Sequence, residues 1–105
     1  MEQFEAKFNV GEVIQHKRYG YRGVIVDADP TFALSEEWYE TVASSRPATQ
    51  RPWYHVLVHA SDQLTYVAES NLERDASGDP IRHPLVGSYF RGFRDERYVN
   101  PRLAS

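Results

Sequence analysis

The chain has 105 residues and no cysteine, and its 15 acidic and 12 basic side chains leave a formal net charge of −3. This length suits one compact domain, predicted over residues 1–105, without room for a second. The lack of cysteine excludes disulfides, thiol catalysis and thiolate metal sites. The acidic total argues against a strong general nucleic-acid binder.

Charge and apolar residues are unevenly distributed. Residues 27–80 hold ten acidic and three basic side chains, whereas residues 81–105 hold five basic and two acidic ones. The acidic N-terminal segment lacks the apolar run of a signal peptide. No stretch approaches the roughly 18 apolar residues of a membrane span. We therefore expect a cytoplasmic protein with no membrane contact.

The first elements predicted along the chain are two strands joined by a tight turn. Glu12–Lys17 predicts a strand that ends near Gly20, where glycine can adopt the positive φ of a reversal. The run Gly23–Val26 predicts a second strand, buried on both faces because it is continuously apolar. Asp29 and Pro30 end it, since proline cannot donate to a strand ladder.

The connection from Thr31 to Pro52 is predicted to contain one short helix. Ser35 is a suitable N-cap, and the next two residues are glutamates, which stabilise the positive end of a helix dipole. Trp38, Val42 and Tyr39 would form the apolar stripe of this helix. Residues 46–52 lack apolar periodicity and predict an exposed, mobile loop.

The clearest signal is a hairpin of Trp53–His59 and Leu64–Ala68, in which β-branched and aromatic residues alternate. A polar segment, Glu73–Pro80, follows it. The tail from Ile81 is basic and too rich in bulky residues to stay in water, so we expect it to fold over the sheet as a flap. These bulky residues are Leu85, Val86, Tyr89, Phe90, Phe93 and Tyr98. The predicted fold is mainly β: a small SH3-like antiparallel barrel with one short helical insertion and an aromatic C-terminal flap.

Catalytic and metal sites are not predicted. His55 and His59 could suggest a metal pair, but four strand residues span about 13 Å, which is too far for one ion. The carboxylate pairs Asp27/Asp29 and Glu36/Glu37 lack a nearby nucleophile, phosphate loop or oriented histidine. We expect a protein that is not an enzyme and has no cofactor.

Two clusters combine cations with aromatic rings, as sites for phosphates and stacked bases do. On composition alone, a turn with solvated cations and a flap whose arginine stems cover apolar surface are the favoured explanation of the two clusters. The hairpin adds a half-exposed histidine and a tryptophan. The candidate contact residues for DNA or a protein partner are His16, Lys17, Arg18, Tyr19, Tyr21, Arg22, Trp53, His55, Arg91 and Arg94.

Four blocks follow one another over residues 8–72: FNVGEVIQH from Phe8, YGYRGVIVDADP from Tyr19, PWYHVLV from Pro52 and YVAESNL from Tyr66. In this order they resemble the YccV-like or HspQ family, which is also called hemimethylated DNA-binding. The ending, with IRHPLVGSYF from Ile81 and YVNP from Tyr98, departs from the enterobacterial heat-shock members. It resembles the form of the domain in some eukaryotic F-box proteins and plastid protease adaptors.

The resemblance implies a non-enzymatic, β-rich module with a motif-bearing barrel over about 8–72 and a flap over about 81–105. Its implied activities are adaptor or specificity factor for an AAA+ protease of the Lon or Clp type, in protein quality control and the heat-shock stress response, and hemimethylated DNA binding. The family includes a homo-oligomeric member, so a homo-oligomer is among the implied states. No catalytic residues come with it.

The two implied activities demand different things of the chain. Burying one methyl group contributes roughly 0.8 kcal/mol, about a fourfold preference, so reading hemimethylated adenine needs further discrimination. An adaptor needs only a face with aromatic anchors, which suits an acidic chain better. The sequence therefore favours a protease adaptor, which would bind the protease or its substrates, with hemimethylated duplex DNA as the alternative partner.

Overall fold

In a computed structural model, which describes residues 6–42 and 46–99, the chain is mainly β. The main sheet is antiparallel and has the strand order β4-β3-β2-β1-β5. A 3-10 helix, Glu69–Asn71, connects β4 to β5. The five strands are Val13–His16 (β1), Arg22–Asp29 (β2), Trp53–Val58 (β3), Leu64–Ala68 (β4) and Leu72–Arg74 (β5).

Both faces of this sheet are buried, because neighbouring apolar residues of a strand point to opposite sides. One face packs Ile14, Ile25 and Val56 into a core with Phe8, Tyr54, Val67 and Leu72. The other face presents Val13, Val24 and Leu57 to the flap. The expected burial of the second strand on both sides is confirmed, since Val24 and Ile25 are both fully buried.

The flap covers the second face, as predicted. It contains a one-turn helix, Val86–Tyr89 (α2), and a hairpin of Gly92–Arg94 (β6) with Arg97–Val99 (β7). Ile81, Phe90 and Tyr98 pack on the sheet, whereas Leu85 and Tyr89 are 41% and 36% exposed. Residues 100–105 lie outside the described part.

Gly11 joins the flap to the sheet. Its amide donates to the Ile25 carbonyl, and its carbonyl accepts the Tyr98 amide, each at 2.8 Å. Its φ of +96° is unfavourable for other residues, and a Cβ there would overlap the Tyr98 carbonyl oxygen. Glycine is therefore required at this contact.

The predicted helix is present as Glu36–Val42 (α1), and the Ser35 hydroxyl accepts the Trp38 amide at 3.0 Å. Trp38 and Tyr39 pack with Phe32 against Trp53 and Tyr66. The side chain of Val42 is outside the described residues. The rings of Phe32, Trp38, Tyr39, Trp53 and Tyr66 form one aromatic cluster.

The loop 46–52 runs past this cluster and is mostly exposed, as predicted. Several hydrogen bonds attach it: for example, the Tyr39 hydroxyl donates to Pro47 O (2.7 Å), the Trp53 indole to Ala48 O (3.0 Å) and the Phe32 amide to Thr49 O (2.8 Å). Such bonds favour an ordered loop over the mobile one that its composition predicts.

Most predicted strands agree with the structure. The sequence did not predict β5, β6, β7, the 3-10 helix or α2, all of which are four residues or shorter. Within the described ranges, the ladders leave β4 and β5 as the two edges of the sheet, so the SH3-like barrel stays a prediction. In the described part of the chain, no helix has the length and apolar character needed to cross a membrane.

Candidate functional site

His16, the first predicted contact residue, is buried and supports the turn between β1 and β2. It is 5% exposed, and its Nδ1 accepts the amides of Arg18 and Tyr19 at 3.1 Å each. Its ring stacks on Tyr19 with centroids 4.6 Å apart. Burial, and secondarily the Arg18 charge, lower the pKa of His16. A neutral, accepting imidazole shapes the turn and is not itself a phosphate contact.

The turn exposes three of the predicted contact residues. Lys17, Arg18 and Tyr19 are exposed, and the Arg18 guanidinium lies 5.8 Å from the centre of the Tyr19 ring. Gly20 has the positive φ that was predicted for it, +77°. Tyr21 is half-buried, and desolvation raises its pKa. We call Lys17, Arg18 and Tyr19 the turn patch.

Arg22 is committed to a structural ion pair. Its Nε and one terminal nitrogen donate to the two carboxylate oxygens of Asp75 at 3.0 and 3.1 Å, and it also donates to the Asp79 carbonyl. Burial opposes ionisation of Asp75, but the hydrogen bonds from Arg22 and Ser77 outweigh it and lower the pKa of that carboxyl. The guanidinium ties β2 to the segment after β5 and contributes to folding.

The predicted contact residues Trp53 and His55 are both engaged in contacts within the protein. Trp53 is 1% exposed and lies inside the aromatic cluster. His55 is half-buried, and its Nε2 lies 3.2 Å from the Asp29 carboxylate. The same carboxylate oxygen accepts the Tyr66 hydroxyl at 2.7 Å, and burial together with this bond raises the pKa of Tyr66. Asp29 thus has an oriented histidine, which the sequence analysis did not foresee.

A register shift in β2 creates this grouping. Between Ile25 and Asp27 the ladder to β3 slips, so that Asp27 lies opposite His55. Within residues 6–42 and 46–99, potential metal-ligating atoms converge only here, where those of Asp27, Asp29 and His55 lie within 4.8 Å of one another. Asp29 already accepts the Tyr66 hydroxyl and contacts the His55 imidazole. These contacts within the protein explain why the three side chains lie close together. His59 lies apart and accepts the Arg82 amide through Nδ1.

Four cations from separate parts of the chain line one groove of about 550 Å³, which we call the cationic groove. They are Lys7, Lys17, Arg51 and Arg74. Lys17 belongs to both the groove and the turn patch, so the two form one surface. The Lys17 amide donates to Asn71 O at 2.8 Å, which fixes the turn against the 3-10 helix.

The groove contains a buried carboxylate that accepts two hydrogen bonds from within the protein. Glu69 is 7% exposed, and its Oε2 accepts the Tyr54 hydroxyl at 2.7 Å and the Lys7 amide at 2.9 Å. Tyr54 itself is fully buried, and burial followed by the bond to Glu69 raises its pKa. Glu73 is the other acidic residue of the lining. Cations therefore outnumber carboxylates by four to two.

The arginines of the flap lie on separate elements. Arg91 and Arg94 are both exposed, and Arg94 is in β6, where it pairs with Arg97 of β7. Neither Arg91 nor Arg94 lines the cationic groove. They remain candidate contacts on a surface of their own.

A second cavity, of about 620 Å³, is lined by other residues of the 46–52 loop, namely Arg46, Thr49 and Gln50, and we call it the aromatic pocket. The half-buried rings of Phe32 and Tyr39 line it together with the carboxylates of Glu36 and Glu40. Arg46 occupies part of it. Residues 23–45 contain five acidic residues and no lysine or arginine, and two of these carboxylates, Glu36 and Glu40, line the pocket.

The sequence predicted Lys17 as a contact residue but not Lys7, Arg51 or Arg74, since only the fold brings these four side chains together. The signal that could have found them was weak: Arg51 precedes the predicted β3, and Arg74 follows the predicted barrel. The aromatic pocket was partly visible, because its residues lie close together in sequence and its helix was predicted. No local sequence pattern predicts the register shift that places Asp27 opposite His55.

Comparison with known proteins finds one family and a set of eukaryotic relatives. Residues 6–97 match the model of the family described as "YccV-like: Hemimethylated DNA-binding protein YccV like". Proteins named F-box only protein 21 are similar over 94 residues, with 38% identity in Mus musculus and 37% in both Pongo abelii and Homo sapiens. The match covers 88% of this chain but spans only 15% of each relative's length.

Proposed function

The chain belongs to the YccV-like family, and on that premise we propose that it is a non-enzymatic module that binds duplex DNA through the cationic groove and the turn patch. The convergence of Lys7, Lys17, Arg51 and Arg74 on one groove carries this proposal. Cations clustered on one face can bind phosphates even when the total charge is negative. The hemimethylated DNA named in the family description is the form of duplex that we propose as ligand.

The turn patch is the part of this surface that suits base or sugar contacts. Tyr19 is 63% exposed and rests on His16, which also accepts two backbone amides of the turn. A side chain supported in this way loses little conformational freedom on binding. The methyl group alone contributes about fourfold, so we propose that the shape of the turn excludes a second methyl group.

The salt dependence of DNA binding tests the proposed phosphate contacts. Four phosphate contacts predict a log–log slope of about −3.6, hence about 50-fold weaker binding when salt rises from 50 to 150 mM. Fluorescence anisotropy with labelled unmethylated, hemimethylated and fully methylated duplexes measures slope and preference together. Absence of binding at 50 mM salt would eliminate the DNA function, and equal affinities for the three duplexes would eliminate hemimethylation reading.

Two matched variants locate the surface. We expect simultaneous replacement of Lys7, Lys17, Arg51 and Arg74 by alanine to abolish binding, while Arg91→Ala/Arg94→Ala retains it. Loss of binding in the flap variant alone would move the interface to the flap. Because all six side chains are exposed, circular dichroism and thermal unfolding can show that both variants fold.

We propose protein binding, as an adaptor or specificity factor for an AAA+ protease of the Lon or Clp type, as a second candidate function. The lining of the aromatic pocket favours it, since Glu36 and Glu40 would repel a DNA backbone while Phe32 and Tyr39 offer half-buried aromatic rings. Such rings are frequent anchors in protein interfaces. Cytoplasmic quality control, including the heat-shock response, is the setting that we propose for this function.

Degradation of a model substrate tests the adaptor function. We expect the protein to change the rate at which a purified Lon- or Clp-type protease degrades an unfolded substrate, and to be captured by the immobilised protease. A rate and a capture signal both equal to those with an inert protein of similar size would reject it. Sedimentation at several concentrations would show whether the active species is a homo-oligomer.

A further inference from the structure

The aromatic pocket already holds a guanidinium, which belongs to the chain itself. The two terminal nitrogens of Arg46 donate to the two carboxylate oxygens of Glu40 at 2.9 and 3.0 Å. The central carbon of the same guanidinium lies 5.3 Å from the centre of the Tyr39 ring. A bidentate carboxylate combined with an aromatic face is the arrangement that proteins use to recognise arginine.

This internal contact is easily displaced, because both partners face water. The Arg46 and Glu40 side chains are 60% and 57% exposed, and exposed ion pairs of this kind are weak. Arg46 also has a φ of +49°, an unusual backbone conformation for a residue other than glycine. The guanidinium of another molecule can therefore compete with that of Arg46.

The rest of the pocket is built to stay in place when Arg46 leaves. The Tyr39 hydroxyl donates to Pro47 O at 2.7 Å, and the Phe32 amide donates to Thr49 O at 2.8 Å. Phe32 and Tyr39 pack edge to face, with centroids 5.5 Å apart. Glu36 supplies a second carboxylate in a cavity of about 620 Å³, which exceeds the volume of one arginine side chain.

We propose that the aromatic pocket binds an arginine side chain presented by a protein partner, and that Arg46 occupies the site as an internal competitor. Glu40 receives the incoming guanidinium, Tyr39 stacks on it, and Glu36 adds long-range attraction. Charge complementarity selects a basic peptide segment over DNA, whose phosphates the local carboxylates repel. The proposal specifies the chemistry of the partner in the second candidate function, and rests on that function for its biological role.

The test is a titration of isotope-labelled protein by NMR with N-acetyl-L-arginine amide, using N-acetyl-L-citrulline amide as the neutral isostere. Arg46→Asn opens the pocket, and asparagine tolerates the positive φ at this position. We expect saturable shifts at the amides of Glu36, Tyr39 and Glu40, with two- to sixfold tighter binding to the Arg46→Asn variant than to the unmodified chain, the order expected for removing one exposed pair.

Glu40→Gln in the Arg46→Asn background is the matched control. It keeps the shape of the side chain but removes the charge, so we expect roughly tenfold weaker arginine binding, as for the loss of a charge-assisted contact. Equal binding of the arginine and citrulline compounds, or absence of saturable shifts in Arg46→Asn, would overturn the proposal. Shifts at the same amides with a 12-base-pair duplex would reassign the pocket to nucleic acid and overturn it as well.

These outcomes separate the pocket from the adaptor function. Failure of the arginine titration removes the pocket as a binding site but leaves the degradation assay unaffected. Failure of the degradation assay alone leaves an arginine-binding pocket whose partner is a different protein. The spectra of each variant also report directly whether it has folded.

Discussion

The cationic groove and the aromatic pocket are lined by different residues of the 46–52 loop and are constructed differently. The groove collects side chains from four distant segments around a buried, hydrogen-bonded carboxylate, Glu69. The described lining of the pocket comes from two stretches close in sequence, 31–40 and 46–50, and its rings are continuous with the packed cluster around Trp53. A charged surface can therefore depend on the whole topology, while an aromatic one is nearly local.

Removing the tryptophan beneath the pocket has the largest expected effect. Trp53→Ala should lower the free energy of unfolding by about 3–5 kcal/mol, since it leaves a large cavity beneath Phe32, Trp38 and Tyr66. Urea unfolding measures this change. Lys17→Ala, on the groove side, should stay within about 0.5 kcal/mol of the unmodified chain. Similar losses in both variants would contradict the proposed difference.

Removing the buried tyrosine hydroxyl at the groove should lower the free energy of unfolding more than removing the tyrosine hydroxyl at the pocket. Tyr54→Phe removes a donor from buried Glu69 and an acceptor from the Phe8 amide, so we expect a loss of about 1–3 kcal/mol in unfolding free energy. Tyr39→Phe removes only the bond to Pro47 on a half-buried ring and should cost less. Thermal unfolding of the two variants gives the ranking, and the reverse order would refute it.

Charge changes on the two sides should affect DNA binding unequally. Lys17→Ala should reduce the log–log salt slope by about 0.9, which corresponds to one phosphate contact. Glu40→Lys adds a cation to the aromatic pocket, outside the cationic groove, and should leave the slope unchanged. Anisotropy titrations at four salt concentrations resolve this difference. A steeper slope for Glu40→Lys would place DNA at the aromatic pocket.

The smallest expected effect is a pH dependence that belongs to the turn. The pKa of His16 is lowered in the folded chain, so the unfolded chain binds more protons as the pH falls below about 6.5. The stability that His16 contributes is therefore complete above this pH and is lost as the pH falls toward the folded pKa. Protonated Nδ1 can no longer accept the Arg18 and Tyr19 amides.

Hydrogen exchange of those two amides checks this expectation. Between pH 7.5 and 5, after correction for intrinsic rates, their protection should fall in the unmodified chain. His16→Asn should lack this pH-dependent component. The same fall in the asparagine variant would assign the pH dependence to another group.

Local patterns were sufficient to predict much of the fold. Alternation in Trp53–His59 predicted β3, the Ser35 cap predicted α1, and the bulky residues after Ile81 predicted that the tail would pack on the sheet. Short elements were missed because three or four residues carry little periodicity. β5 forms mainly because its neighbour β1 offers hydrogen bonds over Leu72–Arg74, and these long-range contacts are invisible in a local window.

The candidate site shows the same difference between local sequence patterns and long-range contacts. Lys17, Arg18 and Tyr19 were predicted from one local cluster and are exposed together. Arg22 looked equivalent to them in sequence, but the fold places Asp75 beside it and engages its guanidinium. His16 and Trp53 were chosen for their chemistry, yet burial makes the first a support for the turn and the second a core residue.

Gly11 has a consequence for how the sequence can vary. Every coding change at this position adds a Cβ, and any Cβ meets the carbonyl oxygen of Tyr98 on the far hairpin. A complete substitution library selected for folding should therefore return glycine alone at position 11. Gly20 also has a positive φ, but a Cβ there would meet no atom within 4 Å, so asparagine and aspartate should survive at position 20. Two glycines that look alike on a Ramachandran plot would then differ completely in their mutational tolerance.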